Sequence, residues 1–328
     1  MGNCCSDDIK TIGQGNIDVF PETHNMPIFH GIESLRGLIL PNSERDINQP
    51  SDTEYIKNLN DYRDQMTKPC VDLEAFDYSQ HDKEEYKNLP TLGFNKYSTG
   101  GLYIGQYKNG KRHGRGIQIW QDGSNYEGYW ENDVTHGYGR LVAFGGEVYE
   151  GEWKEGKTNG HGVYNHPDGA KYVGQWEDDH QNGKGKETWK DGLIYEGNFK
   201  DGLKNGYGEF SWASKDQYKG SVVNNILQGY GEYYWDDGRI YKGQWENSKM
   251  NGEGEFWWLD GKYFKGTYKD DKKHGEGVFR WSDGRELHGN WENGEQVGKA
   301  VIIEVDGKEI VLDPEADKRI KEEVSELH

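Results

Sequence analysis

The sequence is poor in cysteine and proline and has no long apolar run. It contains 3 Cys and 8 Pro in 328 residues, which is too little cysteine for a disulfide framework. No stretch approaches the roughly 20 apolar residues that cross a bilayer. The first thirty residues also lack the basic region and apolar run of a secretory signal. We therefore expect a reduced, cytosolic chain that is neither secreted nor membrane-spanning.

Positive charge is also scarce. The chain carries 39 Lys and Arg against 58 Asp and Glu, a net charge of -19, whereas nucleic acids are bound through clustered Lys and Arg. No nucleic acid partner is therefore expected. A hydrophobic fraction of 32% with this net charge is typical of disorder, but the chain also holds 12 Trp, 22 Tyr and 10 Phe. Because each of these side chains can bury about 150–250 Å², an aromatic core is expected.

The aromatic residues and the glycines recur in a repeat. From residue 103 the sequence forms nine units of 23 residues without insertion. Each unit opens on a pattern such as YEGYW (126–130), reaches a second pattern such as HGYG (136–139) ten residues later, and often closes on W-x-D-G, as in WKDG (189–192). A fixed period of this length predicts a stacked array in which no unit has a complete core of its own.

The local alternation within a unit has period two, which predicts extended strands. Asn-Gly and Asp-Gly pairs between the alternating segments predict tight hairpin turns. We therefore expect each unit to be a β-hairpin and the whole to be all-β, an elongated and twisted antiparallel meander. A glycine between two aromatics in mid-strand predicts that aromatic rings lie across the glycine backbone.

The two patterns, Y-x-G-x-W followed by H/N-G-x-G at a 23-residue period, resemble the MORN (membrane occupation and recognition nexus) family over residues 103–307. The resemblance implies hairpins stacked in one sheet and repeats that serve as interaction and dimerisation surfaces. Several units depart from the pattern. Val222 replaces the second aromatic of the sixth unit, and the preceding segment ASKDQ (213–217) lacks the D-G turn. In the third unit FGGE (144–147) changes the turn. The ninth unit begins with Leu287 and ends VGKA (297–300).

The regions flanking the repeats are assigned separately. Residues 7–95 form an acidic, mostly irregular and largely flexible leader, with a short helix predicted over 51–66 from a capping box and helical spacing. The array spans 96–312, and residues 305–314 predict one further strand. Asp313 and Pro314 are typical of a helix start, so 313–328 is predicted to be a short C-terminal helix that caps the sheet, with partner binding as the alternative.

The first six residues, MGNCCS, match the pattern of an N-myristoylation signal with Gly2 as the acceptor. A single myristoyl chain gives only marginal membrane binding, with K around 10⁴ M⁻¹, so a second signal is expected. Asp7 and Asp8 exclude a basic patch as that signal. Cys4 and Cys5 can accept palmitate, and residues 1–6 are therefore predicted to be a dual acylation signal.

Other candidate sites are weighed against structural roles. His113, His136 and His274 share one repeat position with asparagines, which favours hydrogen bonding in a turn over a metal site. The G-x-G pairs lie between strands and lack the following helix of a phosphate-binding loop. No catalytic constellation is found, so neither an enzyme nor a cofactor is expected. The residues predicted to bind a partner are Trp212, Trp235, Trp257, Trp258 and Trp281.

These observations favour a non-catalytic, membrane-anchored scaffold whose MORN sheet binds a protein partner at the cytoplasmic face of a membrane. The alternative is a structural component of a ciliary, axonemal or cytoskeletal assembly that resembles the radial-spoke head. A third reading, an accessory to phosphoinositide kinase signalling, rests on analogy with the family. Homodimerisation stays open, as do the partner's identity and the membrane.

Overall fold

The computed structural model describes residues 73–79, 81–96 and 101–313. The acylation signal, the helix predicted over 51–66 and residues 314–328 of the predicted C-terminal helix lie outside this range. The described chain divides into two compact units, which are taken in turn. The first ends at Leu203, and the second begins at Lys204.

The first unit contains one short helix and ten strands. Its elements are α1 (Glu84–Lys87), β1 (Thr91–Lys96), β2 (Leu102–Lys108), β3 (Lys111–Ile119), β4 (Asn125–Glu131), β5 (Val134–Val142), β6 (Val148–Lys154), β7 (Lys157–Asn165), β8 (Lys171–Glu177), β9 (His180–Thr188) and β10 (Ile194–Lys200). Each strand pairs antiparallel with the next one along the chain. Among the described residues ahead of β1, Glu74 already contacts the repeats, within the stretch that the sequence assigns to the leader.

The second unit continues the pattern with ten strands. They are β11 (Leu203–Ser211), β12 (Gln217–Val223), β13 (Ile226–Tyr234), β14 (Ile240–Glu246), β15 (Lys249–Trp257), β16 (Tyr263–Lys269), β17 (Lys272–Arg280), β18 (Glu286–Glu292), β19 (Glu295–Ile303) and β20 (Glu309–Leu312). They also pair antiparallel in chain order. The predicted all-β meander of hairpins is confirmed, and β20 is the further strand expected from 305–314.

Each repeat is one hairpin closed by a two-residue turn in which both residues have positive φ. In the second repeat these residues are Asn132 (φ 51°) and Asp133 (φ 76°). Two successive positive φ angles are typical of a type I′ turn, whose twist matches that of the flanking strands. The abundance of Asn, Asp and Gly at these positions has this origin.

The two glycines of H/N-G-x-G have different roles. The first, such as Gly137 with φ 77°, lies in a bulge where the pairing of β4 and β5 shifts register. The second, such as Gly139, pairs directly with Gly128 of its own hairpin and with Gly151 of the next. Its constraint is space, because a Cβ added there would lie 2.1 Å from the hydroxyl oxygen of Tyr126.

In repeats that open on an aromatic residue, that ring lies across this row of glycines, as Tyr126 does. Tyr126 is fully buried, and its hydroxyl donates to the carbonyl oxygen of Tyr129 at 3.0 Å. The predicted packing of rings on glycine is thus confirmed. We call the side of the sheet that carries these rings the core face and the other side the outer face; successive residues of a strand alternate between the two.

The second aromatic joins neighbouring repeats. Trp130 meets Tyr126 of its own repeat edge-on at 5.2 Å and Tyr103 of the previous repeat at 5.4 Å. Its indole N–H donates to the carbonyl oxygen of Gly116 at 3.1 Å. Edge-to-face pairs are worth about 0.5–1.5 kcal/mol beyond the area they bury. Neighbouring repeats are therefore coupled through the core face.

The departures from the repeat pattern have local explanations. In the ninth repeat Leu287 replaces the tyrosine and Ala300 the second glycine; without a ring to accommodate, the Cβ of Ala300 fits. At 213–217 Lys215 takes the glycine's place with φ 78°. At 144–147 the turn keeps the usual hydrogen bond, from the N–H of Gly146 to the carbonyl oxygen of Ala143 at 3.0 Å.

Candidate partner-binding faces

Four of the five predicted tryptophans line the turn edge of the core face in the second unit. Each is the residue that opens the turn between two repeats, and each ring contacts a buried aromatic of the core face. The four are Trp212, Trp235, Trp258 and Trp281. Trp235, for instance, lies 4.4 Å from Tyr233 and 5.3 Å from Phe256. Together the rings form a continuous aromatic ladder.

The outward side of this ladder is partly covered. The guanidinium of Arg239 lies over Trp235 at 5.1 Å and that of Arg285 over Trp281 at 5.0 Å. Both arginines are held by aspartates, Arg239 by Asp237 at 2.7 Å and Arg285 by its own neighbour two residues before. Trp281 is buried and the other three are half-buried. The ladder therefore closes the end of the core.

Trp257 lies on the outer face, opposite to its neighbour Trp258, because successive residues of a strand point to opposite sides. It pairs with Tyr263, with ring centroids 5.3 Å apart, and the guanidinium of Arg280 lies over Tyr263 at 5.7 Å. The five tryptophans therefore belong to two different surfaces, which the sequence treated as one. Their role in partner binding stays a prediction.

Part of the outer face of the first unit, on β3 to β5, is covered by residues 74–79 and 81–86 of the same chain, which we call the strap. Tyr138 of β5 lies between two strap residues: His81 stacks on it at 4.0 Å with an interplanar angle of 9°, and Phe76 at 5.9 Å with an angle of 28°. Tyr86 stacks on Tyr129 of β4 at 5.3 Å. Phe76 and Tyr86 are buried. The strap thus docks through aromatic contacts across several strands.

Polar contacts fix the strap in place. Arg115 donates to both carboxylate oxygens of Asp82, from Nε at 3.0 Å and from Nη2. The hydroxyl of Tyr129 donates to the carbonyl oxygen of Tyr78 at 2.8 Å. Arg140 donates to the carbonyl oxygen of Glu74 at 2.7 Å. Two arginines and a tyrosine of the outer face therefore bind an acidic segment by both its charge and its backbone.

The electrostatics of the docked strap follow from these contacts. The hydrogen bond from Arg115 holds the pKa of Asp82 below its ordinary value, although burial opposes this. Burial raises the pKa of Tyr129 to about 12, and the nearby Asp82 charge adds to the effect. Asp82 is therefore ionised and Tyr129 is a neutral hydrogen-bond donor at neutral pH, as the docked geometry requires.

A groove of 660 Å³ lies beside the strap. Its lining mixes aromatic rings with groups of both charges, including His81, Lys83, Tyr138, Glu152 and Lys154. His136, one of the three repeat histidines, also borders it and lies 3.5 Å from Glu131. Within the residues that the structure describes, no group of three or more His, Cys, Asp or Glu side chains could hold a metal ion.

Sequence reasoning did not find the strap, because residues 7–95 show no repeat. The signal was the pair Phe76 and Tyr78 together with Tyr86, three aromatics shortly before the array. Their partners are repeat residues whose outer-face position is evident only once the register is known. The sequence therefore shows the aromatic residues on both sides of this interface, but it does not show which of them contact each other.

The outer face of the second unit carries tyrosines at the position that Tyr138 occupies in the first. Counting the first aromatic of a repeat as position 1, these tyrosines stand at position 13, and they are Tyr207 and Tyr230. They are 56% and 52% exposed, whereas Tyr138 is half-buried under the strap. The second unit therefore exposes aromatic rings at the repeat position that holds a peptide segment in the first unit.

Comparisons with known proteins agree with this architecture. The MORN repeat family matches nine segments: 103–125, 126–146, 149–171, 172–194, 195–217, 218–238, 241–263, 264–284 and 288–307. No curated protein matches the chain. Among the part of the chain that the structure describes, no helix is both long and apolar enough to cross a membrane.

Solved structures with a similar strand arrangement include the TCP10 domain of Danio rerio CPAP, at a TM-score of 0.38 and 12% identity, over 61% of this chain and 94% of that one. The same domain in complex with a peptide of Danio rerio STIL has a TM-score of 0.31 and 14% identity, over 68% of this chain and 98% of that one. The Drosophila melanogaster SAS-4 TCP domain, in complex with a proline-rich motif of Ana2, has a TM-score of 0.31 and 14% identity, over 46% of this chain and 83% of that one. These are distant likenesses of fold alone. The nine matches cover more than half of the chain, which therefore belongs to the MORN-repeat family, a family of non-enzymatic repeat proteins.

Proposed function

We propose that this protein is a non-catalytic scaffold whose repeat sheet binds a protein partner, and that acyl chains on Gly2, Cys4 and Cys5 hold it at the cytoplasmic face of a membrane. One observation carries the binding part: the outer face of the first unit already holds a peptide segment, the strap. The contacts that hold it come from repeat positions that recur along the sheet. A surface of this kind can hold a second segment wherever its aromatics are exposed.

Site-specific photo-crosslinking tests the binding part. A benzoylphenylalanine is placed on the outer face at Tyr230, on the tryptophan ladder at Trp235, or in an exposed turn at Leu259, which is 79% exposed. A partner on the sheet gives a discrete crosslinked protein at Tyr230, at Trp235 or at both, and none at Leu259. Equal labelling at all three positions, or no discrete product at either sheet position, would contradict the proposal.

Membrane anchoring is supported by the MGNCCS sequence and by the affinity argument that one myristoyl chain is insufficient. The test compares flotation with membranes for the wild type, Gly2→Ala and the double variant Cys4→Ser/Cys5→Ser, each labelled with alkyne analogues of myristate and palmitate. We expect Gly2→Ala to lose both labels and the double variant to lose palmitate only, with both variants moving to the soluble fraction. Sedimentation of all three with the detergent-insoluble cytoskeleton would instead favour the structural assembly.

A further inference from the structure

The strap shows what the outer face recognises in the first unit. Its segment 74–86 is acidic, with Glu74, Asp77, Asp82, Glu84 and Glu85 against a single lysine, Lys83. The sheet meets it with an arginine at position 13 of the first repeat and another at position 15 of the second. These are Arg115 and Arg140. Aromatic stacking at position 13 of the second repeat and the charge of Arg115 at position 13 of the first select an acidic segment, and Arg140 at position 15 binds its backbone.

The second unit keeps the aromatic component and reverses the charge. Tyr207 and Tyr230 retain the ring at position 13, but position 15 of the same repeats holds Glu209 and Glu232. The next two repeats place glutamate at position 13 itself. These residues are Glu253 and Glu276, and both are exposed.

The reversal extends to the cross-strand ion pairs. In the first unit Arg140 at position 15 pairs with Glu150 on the next strand at 2.6 Å. In the second unit the acid and base exchange places. The glutamate at position 15 pairs with a lysine on the next strand in three repeats: Glu209 with Lys219 at 2.9 Å, Glu232 with Lys242 at 3.1 Å, and Glu255 with Lys265 at 3.1 Å. Arg140 binds the strap while it keeps its own pair, so a paired residue at position 15 can still contact a docked segment.

The strap itself is a poor ligand for the second unit. A carboxylate placed as Asp82 is in the first unit would approach Glu253 or Glu276 instead of Arg115. Like charges in such contact are unfavourable, and they discriminate against the wrong partner. The strap of a second copy of this chain is therefore disfavoured on this face.

We propose that the outer face of the second unit binds an extended basic segment of a partner protein, in which arginine or aromatic side chains stack on Tyr207 and Tyr230 and cationic groups lie beside Glu253 and Glu276. Arginine suits both positions, because its guanidinium stacks on aromatic rings and pairs with carboxylates. This inference rests on the proposed protein-binding function and names the chemistry of the partner.

The repeat geometry also sets the spacing of the recognised residues. Equivalent positions of successive repeats are two strands apart, roughly 10 Å at about 4.8 Å per strand. An extended segment that crosses the strands advances about 3.3 Å per residue. Residues that meet position 13 of successive repeats therefore fall about three apart in the partner, giving a pattern of Arg-x-x-Arg-x-x-Arg.

The experiment uses the full chain and three labelled peptides: one with arginine at every third position among Ser and Gly, one with glutamate in place of arginine, and one with residues 73–90 of this chain. Binding is measured by fluorescence anisotropy and the site by hydrogen exchange. We expect the arginine peptide to bind and to protect β11 to β17. The glutamate and strap peptides should bind at least about tenfold more weakly.

Variants on exposed positions separate this site from general attraction to an acidic protein. Glu253→Lys/Glu276→Lys should weaken the arginine peptide about tenfold and admit the glutamate peptide, and Tyr207→Ser/Tyr230→Ser should weaken the arginine peptide by a similar factor. The matched control Glu295→Lys/Glu309→Lys reverses two exposed charges on β19 and β20 and should have little effect.

Three results would overturn the inference: equal loss with the control variant, equal binding of the acidic or strap peptide, or protection confined to the first unit. Since thermal unfolding of each variant is recorded in parallel, loss of binding is assigned only to variants with an unchanged transition. If Tyr230 crosslinks to a partner while arginine peptides fail to bind, the basic-segment inference falls and the scaffold proposal stands. Absence of crosslinks at both sheet positions removes both.

Discussion

The packing of tyrosine on glycine predicts a specific coupling between two positions. In Gly254→Ala the new Cβ would lie 2.4 Å from the hydroxyl oxygen of Tyr241, and the three nearest atoms all belong to that tyrosine. The ring must therefore move by about 1 Å to reach ordinary contact. Overpacking of this kind costs about 1–3 kcal/mol.

Movement of the ring also breaks a hydrogen bond. Tyr241 donates to the carbonyl oxygen of Gln244 at 3.0 Å, a contact worth about 1 kcal/mol. Gly254→Ala should therefore lower the free energy of unfolding by about 2–4 kcal/mol. Tyr241→Leu removes the ring, as Leu287 does in the ninth repeat beside Ala300, so the double variant should be about as stable as Tyr241→Leu alone.

The assay is denaturant unfolding followed by tryptophan fluorescence, with hydrogen exchange of β14 and β15 as the local readout because long repeat arrays need not unfold in two states. Gly289→Ala in the ninth repeat is the control: it meets the Cβ of Ala300 at 3.1 Å and no ring, so its cost should be at most about 1 kcal/mol. Additive effects of the two changes at Tyr241 and Gly254 would refute the reasoning, as would a cost of Gly254→Ala no greater than that of the control.

Three further predictions concern single residues. Lys215→Gly should raise the free energy of unfolding by about 0.5–1 kcal/mol, measured as a higher unfolding temperature, because a lysine at φ 78° is strained. The contact that it loses, with Asp236 at 4.0 Å, is exposed and contributes little. Burial lowers the pKa of Lys273 to about 8; the unfolded chain keeps this proton up to its ordinary pKa near 10.4, so stability should rise with pH between these values. Lys273→Met, which reproduces Met250 at the same repeat position, should remove that rise in urea titrations. Asp82→Asn should lower the free energy of strap docking by about 1 kcal/mol and speed tryptic cleavage at Lys83 about fivefold. In the wild type the same weakening should occur only as the pH falls below about 4, since the pKa of Asp82 is lowered in the docked strap.

The repeat could be predicted in detail from the sequence because its determinants are local. Turn pairs such as Asn132 and Asp133 need positive φ whatever surrounds them, and the alternation of Tyr126, Gly128 and Trp130 is the period of a strand. The contact of rings with glycine also followed, since a glycine between two aromatics in mid-strand leaves space for a ring across its backbone. Departures at Leu287 and Ala300 could be noted but not explained, because their compensation needs the register.

The binding surfaces could not be predicted in the same way. Trp257 and Trp258 are neighbours in sequence and lie on opposite faces, and the contact of Trp235 with Phe256 joins different repeats. The strap contacts join residues far apart in the chain, as Arg140 does with Glu74. Such pairs depend on strand register and on which side of the sheet each residue occupies.

The sequence by itself determined the family, the hairpin unit, the number of repeats and the aromatic–glycine core, because each rests on turn chemistry, strand alternation or a fixed period within a few residues. Only the tertiary structure decided which aromatics close the core and which stand on the outer face. It also revealed that an acidic segment docks on Arg115, Tyr129 and Arg140, and that the second unit carries the opposite charge at equivalent positions. The physical reason is that a face of a sheet is assembled from many strands, so its chemistry exists only once they are paired in register.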